Sequence, residues 1–250
     1  MVSPRFQRAL VVGASSGIGA ELVRQLAREG TRVAAVARRQ SELDALAHEL
    51  AGAPGAVLAR AHDVTDVADV PAAFEEVVRG LGGLDLFVYA AGAMPAVAPE
   101  EYDTEKDLAM LDVNLGGCVA WGNAAARYFH SQRSGTFVGI GSIAGDRGRK
   151  GAPVYGASKA GMEHYLESLR NRLAERNVRV LTIKPGMVET PMTAHLDKLV
   201  MPIKADRAAR EILGAAQGRL WNVRYVPLRW FAVSLVIRSI PSFLFRRTSI

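Results

Sequence analysis

Residues 9–30 read ALVVGASSGIGAELVRQLAREG, and this stretch decides the fold. A short apolar run leads into a glycine-rich turn, and apolar residues at helical spacing follow it. Gly13 lets the chain turn sharply out of a strand, Gly17 lets the backbone approach a pyrophosphate, and Gly19 permits close packing of helix on strand. The first helical turn offers unpaired N–H groups to a phosphate. The stretch predicts strand, phosphate-binding turn and helix; a tight turn without a ligand is the simpler alternative.

The same alternation of short apolar runs and longer helical patterns continues along the chain, as in doubly wound parallel sheets. The predicted strands lie near 8–13, 32–37, 56–62, 84–90, 135–141, 178–184 and 222–227. The predicted helices lie near 17–30, 40–51, 67–80, 101–130, 154–176 and 206–217. We therefore predict a single Rossmann-type α/β domain over residues 1–227, with a seven-stranded parallel sheet and helices on both faces. A C-terminal tail, 228–250, follows it.

The chain has 250 residues and a formal net charge of +6. No acidic residue follows Glu211, and the six arginines beyond it carry the whole excess, so residues 1–211 are neutral on balance. A neutral body without a recognition motif argues against nucleic-acid binding. The single cysteine, Cys118, and the absence of a secretory pattern predict a cytoplasmic protein without a metal site.

The sequence YGASK, at the start of a predicted helix, places Tyr155 and Lys159 four residues apart on one helix face. A nearby ammonium stabilises a phenolate and lowers a tyrosine pKa from about 10 towards the range of a general acid/base. Ser142 follows a predicted strand, where its hydroxyl is able to hold a substrate oxygen beside Tyr155. Asn114, inside a predicted helix, supplies an amide able to hold a water next to Lys159.

The end of the second predicted strand carries Arg38 and Arg39 and no carboxylate. A ribose 2′-hydroxyl usually meets an acidic residue there, whereas a 2′-phosphate needs positive charge. The pair predicts NADP(H) as cofactor, with Arg38 as the favoured contact and Ser15 or Ser16 adding a hydroxyl. An exposed arginine pair is the alternative. Asp63, after the third strand, either accepts a hydrogen bond from the adenine amino group or caps the following helix.

In combination, these motifs resemble the short-chain dehydrogenase/reductase family, and the resemblance covers almost all of residues 8–227. The matching elements are GASSGIG at 13–19 with Ile18, HDV at 62–64 with Val64, AAG at 90–92 with Ala91 and Gly92, Asn114, Ser142, YGASK at 155–159, KPG at 184–186 and Thr190. The chain departs from the family pattern at Val12, where threonine is usual, and at Tyr89-Ala90, where two asparagines are usual.

The resemblance implies a catalytic triad of Ser142, Tyr155 and Lys159, with Asn114 as the fourth member. Tyr155 would protonate the carbonyl oxygen during reduction, and Lys159 would also bind the nicotinamide ribose. The nicotinamide itself would meet Pro185, Gly186, Val188 and Thr190.

The expected activity is NADP(H)-dependent interconversion of a small-molecule ketone or aldehyde and an alcohol. The alternative is a catalytically silent NADP(H)-binding sensor or scaffold. Similar proteins usually form homodimers or homotetramers.

An apolar segment follows the sixth strand and is predicted to line a hydrophobic substrate pocket, with ordinary core positions as the alternative: Met187, Met192, Leu196, Leu199 and Met201. His195 in this segment is expected to be an exposed loop residue. The tail combines aromatic residues with arginines that do not share one helical face, and its apolar run is too short to span a membrane. Contact with an anionic membrane surface, a subunit interface and a lid over the substrate mouth stay open. Each of these three interpretations of the tail favours a hydrophobic substrate, such as a lipid, fatty-acyl or steroid-like ketone.

Overall fold

The computed structural model describes residues 5–218 and 220–248. The strands are β1 (Arg8–Val12), β2 (Arg32–Ala37), β3 (Val57–Ala61), β4 (Leu86–Tyr89), β5 (Gly135–Ile140), β6 (Val178–Pro185), β7 (Val188–Glu189), β8 (Ile203–Lys204) and β9 (Val223–Val226). Seven of them form a parallel sheet in the order β3-β2-β1-β4-β5-β6-β9. The strand order reverses between β1 and β4, so a crevice opens at the carboxyl ends of these two strands.

The helices are α1 (Gly17–Arg28), α2 (Gln40–Glu49), α3 (Val70–Leu81), α4 (Thr104–Leu111), α5 (Gly117–Gln132), α6 (Pro153–Leu173), α7 (Ala205–Gln217), α8 (Arg229–Ser239) and α9 (Ser242–Phe245). Because side chains alternate across a strand, Val11 of β1 faces α1, α2 and α7, whereas Leu10 faces α3, α5 and α6. The prediction of one doubly wound domain with helices on both faces of a seven-stranded sheet is confirmed.

The helix predicted over 101–130 is two α-helices joined by a π turn, Asp112–Gly116. Its first helix starts only at Thr104, where the Asp103 side chain caps it by accepting from the Lys106 backbone N–H at 3.0 Å. The buried Tyr89 hydroxyl donates to the Val113 carbonyl at 2.6 Å, which diverts that carbonyl from the ordinary helical pattern. Sequence analysis also missed the short β7–β8 pair.

The tail folds as α8 and α9 and packs against the domain. Trp230 and Ser234, one helical turn apart, are buried against the sheet edge. The Arg147 guanidinium donates to the carbonyls of Ile237 and Ile240 at 2.5 Å each, and it lies 4.0 Å from the centre of the Phe245 ring. Among residues 5–218 and 220–248, no helix has the length and apolar character needed to cross a membrane.

Candidate active site

The glycine-rich turn follows β1 at the crevice. Gly13 has a φ of +92°, and a Cβ there would lie 2.3 Å from the Ala91 backbone nitrogen. A Cβ on Gly19 would lie 2.1 Å from the Gly13 carbonyl oxygen, so α1 starts directly on the turn. Gly17 faces the Thr190 side chain. The turn therefore presents backbone rather than side chains, which is the geometry expected of a phosphate cradle.

The arginines after β2 both line the crevice but differ in their contacts. Arg39 donates through Nη2 to Ser15 Oγ at 2.9 Å and to Ser16 Oγ at 3.2 Å. Arg38 is 68% exposed and lies 3.9 Å from the Asp63 carboxylate. Sequence analysis favoured Arg38, whereas the structure brings Arg39 onto the hydroxyls of the turn, because successive side chains leave an extended strand on opposite sides.

Asp63 does not cap a helix, because α3 begins only at Val70; that alternative is wrong. Its Oδ1 accepts instead from the Thr65 backbone N–H at 3.0 Å and the Thr65 hydroxyl at 2.8 Å. The neighbours His62 and Val64 line the cavity. Sequence analysis missed His62, which is buried edge-on against Trp121. Burial lowers the pKa of His62, so its ring is neutral at pH 7.

Ser142 ends the loop after β5, and Tyr155 lies on the first turn of α6; both line the same cavity. Burial raises the pKa of the Tyr155 phenol. A hydrogen bond with Ser142 and the positive charge of Arg149 oppose that rise without cancelling it. The phenol is therefore protonated at neutral pH, in the same cavity as the Ser142 hydroxyl.

Lys159 is one helical turn beyond Tyr155 and is buried. Its Nζ donates to the Ile140 carbonyl at 3.0 Å and lies 5.8 Å from the centre of the Tyr155 ring. Burial lowers the pKa of Lys159 to about 8. From the sequence we expected the ammonium group of Lys159 to lower the pKa of Tyr155. In the structure the pKa is raised, because desolvation outweighs the opposing interactions, which come from Ser142 and Arg149.

Asn114 lies in the π turn and is fully buried. Its side-chain nitrogen donates to the Ala93 carbonyl at 3.0 Å and to Ser158 Oγ at 2.9 Å, while its oxygen accepts from the Ala93 N–H at 2.7 Å. Both amide hydrogens thus bond to protein, in contrast to the water-holding role expected from sequence. Asn114 ties the loop after β4 to α6, and so fixes Lys159 beside Gly92.

A buried ionic cluster lies behind Ser142, and sequence analysis missed it. Lys184 Nζ contacts the Asp146 carboxylate and lies 2.7 Å from Glu163 Oε2. The other oxygen of Glu163 accepts from the Ser142 backbone N–H at 3.0 Å. Burial raises the pKa of Glu163 despite Lys184. Burial alone would lower the pKa of Lys184, but Glu163 and Asp146 outweigh it and raise that pKa.

The cluster also connects the active-site segment with the tail. Ser234 of α8 donates to Asp146 Oδ2 at 2.5 Å, and the Tyr225 hydroxyl donates to the same oxygen at 3.0 Å. On the other side, the Trp230 indole packs on Gly186, where a Cβ would lie 2.0 Å from Trp230 Nε1. Tail residues therefore support two segments that line the cavity.

The cavity has a volume of about 440 Å³, within the range of small-molecule sites. Pro185, Gly186, Val188 and Thr190 line it, as do Ile18, Ala91 and Gly92. Apolar side chains cover its remaining wall: Met94, Ile143, Met187, Met192 and Leu196. Leu199 and Met201, also predicted there, lie outside the lining, and Met201 is 42% exposed. His195 is exposed, as predicted.

Fold and cavity together are those of a Rossmann-type dinucleotide-binding protein. A family model described as short chain dehydrogenase matches residues 7–199, so the chain belongs to the short-chain dehydrogenase/reductase family. The tail helices lie beyond the matched residues.

Similar proteins include an uncharacterized oxidoreductase of Staphylococcus saprophyticus, 36% identical over 79% of this chain and 85% of that protein. A 3-oxoacyl-[acyl-carrier-protein] reductase of Bos taurus is 35% identical over 75% of this chain and 78% of its own length. A solved short chain dehydrogenase of Burkholderia cenocepacia in complex with NADP superposes with a TM-score of 0.79 at 25% identity, covering 92% of each chain.

Proposed function

We propose that this protein is an NADP(H)-dependent oxidoreductase that interconverts a ketone or aldehyde and an alcohol, with Tyr155 as the general acid/base. The observation that carries the proposal is the convergence of Ser142, Tyr155 and Lys159 on the cavity that also contains the glycine-rich turn. The names of the bovine reductase and of the NADP-bound Burkholderia structure support the same reaction class.

The donor set of the crevice fits NADP(H). Backbone N–H groups of the turn, with Gly13, Gly17, Ile18 and Gly19, would hold the pyrophosphate, since these residues line the cavity. Arg39 and Arg38, with Ser15 and Ser16, would hold the 2′-phosphate. The adenine would lie by Asp63 and Val64, and the ribose and nicotinamide among Ala91, Gly92, Lys159, Pro185, Gly186, Val188 and Thr190. When bound, the nicotinamide supplies or accepts the hydride.

The remaining chemistry belongs to side chains of this chain. Ser142 and Tyr155 hydrogen-bond the carbonyl oxygen, where negative charge develops during reduction. Tyr155 then donates its hydroxyl proton to that oxygen. Its raised pKa keeps the proton in place at neutral pH, so that the proton is available to the carbonyl oxygen during reduction. Asn114 positions Lys159, and the apolar wall admits a hydrophobic substrate.

Replacing Tyr155 by phenylalanine tests the acid/base role and separates the enzyme from the silent sensor or scaffold. Tyr155→Phe should keep NADPH affinity and lose roughly a hundred- to ten-thousand-fold in kcat, the usual value of one acid/base group. NADPH oxidation with a panel of ketones and aldehydes measures this. Tyr165→Phe, on the same helix but bonded to Asn123, is the matched control. Near-wild-type turnover in Tyr155→Phe would overturn the proposal.

The cofactor preference has its own pair of variants. Arg39→Asp should shift the ratio of kcat/KM for NADPH over NADH towards NADH by at least about tenfold, the value of one charge-assisted hydrogen bond. Arg38→Asp should shift it in the same direction but less, because Arg38 is more exposed and lies by Asp63. An unchanged ratio in both variants would mean that the 2′-phosphate site is wrongly assigned.

We further propose residues 1–227 as the catalytic domain and residues 228–250 as a tail. A homodimer or homotetramer, a cytoplasmic location and contact of the tail with a membrane surface stay predictions. Outward apolar side chains of the tail support such a contact, among them Leu228, Phe231, Leu235, Val236 and Phe243.

A further inference from the structure

The charged side chains that line the cavity all carry the same sign. Among the described residues, four basic side chains line it and no acidic one does. Arg38 and Arg39 belong to the proposed 2′-phosphate site, and Lys159 to the proposed catalytic group. Arg149 is the fourth, and neither the cofactor nor the proton transfer uses it.

Arg149 belongs to a different segment of the cavity lining from the other two arginines. It lies in the loop between β5 and α6, four residues before the helix that carries Tyr155, whereas Arg38 and Arg39 follow β2. In the sheet, β2 and β5 are three strand spacings apart, on the order of 14 Å. Arg39 bonds to Ser15 and Ser16 of the glycine-rich turn. Arg149 is therefore grouped with the Tyr155 segment of the lining and not with the phosphate-binding turn.

The side chain of Arg149 is half-buried and makes no hydrogen bond or ion pair within residues 5–218 and 220–248. Arg149 lines the same cavity as Tyr155, and its positive charge opposes the rise in the Tyr155 pKa. The neighbouring basic residues behave differently. Arg147 is held by the tail, and Lys150 is exposed and outside the lining.

The surroundings of Arg149 explain why a ligand anion would be favourable. Met94, Ile143 and Ala152 line the same cavity as Arg149, and their side chains are apolar. A charge that is partly withdrawn from water is costly unless an opposite charge compensates it. Since the described residues supply no such opposite charge, an anionic group on the substrate would provide it.

We infer that Arg149 binds an anionic group on the substrate, so that the substrate class is a hydrophobic ketone or aldehyde carrying a carboxylate or a phosphate. The inference rests on the proposed function, because it places the carbonyl on Tyr155 and the anion on Arg149. The inference narrows the substrate class from hydrophobic carbonyl compounds in general to amphipathic ones.

The catalytic test compares matched substrates: an oxo acid of medium chain length, its methyl ester, and the oxoalkyl phosphate of equal length. Wild-type protein should favour an anionic substrate over the ester. Arg149→Ala should lower kcat/KM for that substrate by roughly ten- to a hundred-fold, as expected for a hydrogen bond to a charged group. It should change the ester by less than about threefold, and Arg149→Lys should restore part of the loss. Lys150→Ala is the matched control and should change neither.

A binding test needs no turnover. NADPH-loaded protein is titrated calorimetrically with octanoate, octyl phosphate and methyl octanoate, none of which has a ketone. Arg149→Ala should weaken one or both anions by at least about tenfold and leave the ester unaffected. The anion that loses affinity identifies carboxylate or phosphate as the group.

The two tests distinguish a failure of the proposed function from a failure of the proposed anion subsite. If no carbonyl compound is reduced but anion binding depends on Arg149, the proposed function fails and the anion subsite stands. If reduction proceeds and Arg149→Ala affects acid, phosphate and ester equally, or affects none of them, the subsite is overturned. Equal losses in Lys150→Ala would overturn it as well, because a general surface charge would then explain the effect.

Discussion

Replacing Lys184 by methionine should destabilise the fold strongly and in a pH-dependent way. The Lys184 ammonium compensates two carboxylates, those of Asp146 and Glu163, whose side chains are only 3% and 9% exposed. Methionine keeps the length of the side chain and removes its charge. Removing one partner of a buried pair costs about 3–5 kcal/mol, because the remaining charge is left without compensation.

The pH dependence follows from Glu163. Burial already raises its pKa, and Lys184 opposes the rise; without Lys184 the pKa of Glu163 must rise further. A carboxyl whose folded pKa lies above its unfolded value stabilises the fold below the unfolded pKa, and this contribution is lost as pH rises through the folded pKa. The deficit of Lys184→Met should therefore be largest at pH 8 and smaller at pH 5. Each further unit of rise in the Glu163 pKa changes the deficit in the free energy of unfolding by about 1.4 kcal/mol.

Urea unfolding of both proteins, followed by circular dichroism at pH 5 and pH 8, measures the two deficits. Arg207→Met is the control, since Arg207 is 53% exposed and pairs with Glu211 one helical turn away at 3.0 Å. It should cost less than about 0.5 kcal/mol at both pH values. A deficit for Lys184→Met below about 1 kcal/mol, or one that is equal at both pH values, would refute this account of the cluster.

Two glycines, Gly186 and Gly214, should respond to alanine substitution in opposite ways. Gly186→Ala should destabilise the fold by about 1–3 kcal/mol and lower turnover, because its Cβ would meet Trp230 Nε1 at 2.0 Å and displace α8. Gly214→Ala, inside α7 with nothing within 4 Å of its Cβ, should instead add about 0.5–1 kcal/mol through helix propensity and leave turnover unchanged. Thermal unfolding together with NADPH oxidation checks both variants, and a stable, fully active Gly186→Ala would contradict the proposed support of the cavity by the tail.

Local patterns were sufficient to predict the sheet. The strands are short apolar runs bounded by glycine and polar residues, and the spacing of the helices is regular, so element type and order follow from the sequence. The end of β1 at Val12 and the start of α1 at Gly17 agree with the glycine spacing. Tyr155 and Lys159 share a helix face for the same reason, since their spacing alone sets their relative position.

Interactions between distant residues could not be predicted in this way. The π turn depends on a bond from Tyr89 to Val113, on another element. The ionic cluster joins Asp146, Glu163 and Lys184 from three segments. One signal was available, because Glu163 is four residues beyond Lys159 and so continues the helix face of Tyr155 and Lys159. A carboxylate buried on that face requires a partner, and the lysine of KPG is a motif residue able to supply it.

The two-sided character of α8 decides how the tail could meet a membrane or a second subunit. Trp230 and Ser234 face the domain, while Leu235 and Val236 face outwards. If α8 left the domain, Asp146 would lose the Ser234 hydroxyl, and Arg147 would lose its carbonyl partners, so undocking would strip partners from buried charge close to Ser142. Contact with lipid through the outward face requires no such loss.

A tail that binds lipid would therefore do so while docked, and would hold the cavity near the surface it touches. Removing residues 228–250 would delete both the contacts that support the cavity and the outward apolar face. Loss of activity and loss of lipid binding could then not be told apart. Leu235→Ser combined with Val236→Ser changes only the outward face. Co-sedimentation of that variant with anionic vesicles should fall while NADPH oxidation with soluble substrates is retained, and unchanged co-sedimentation would remove the membrane interpretation.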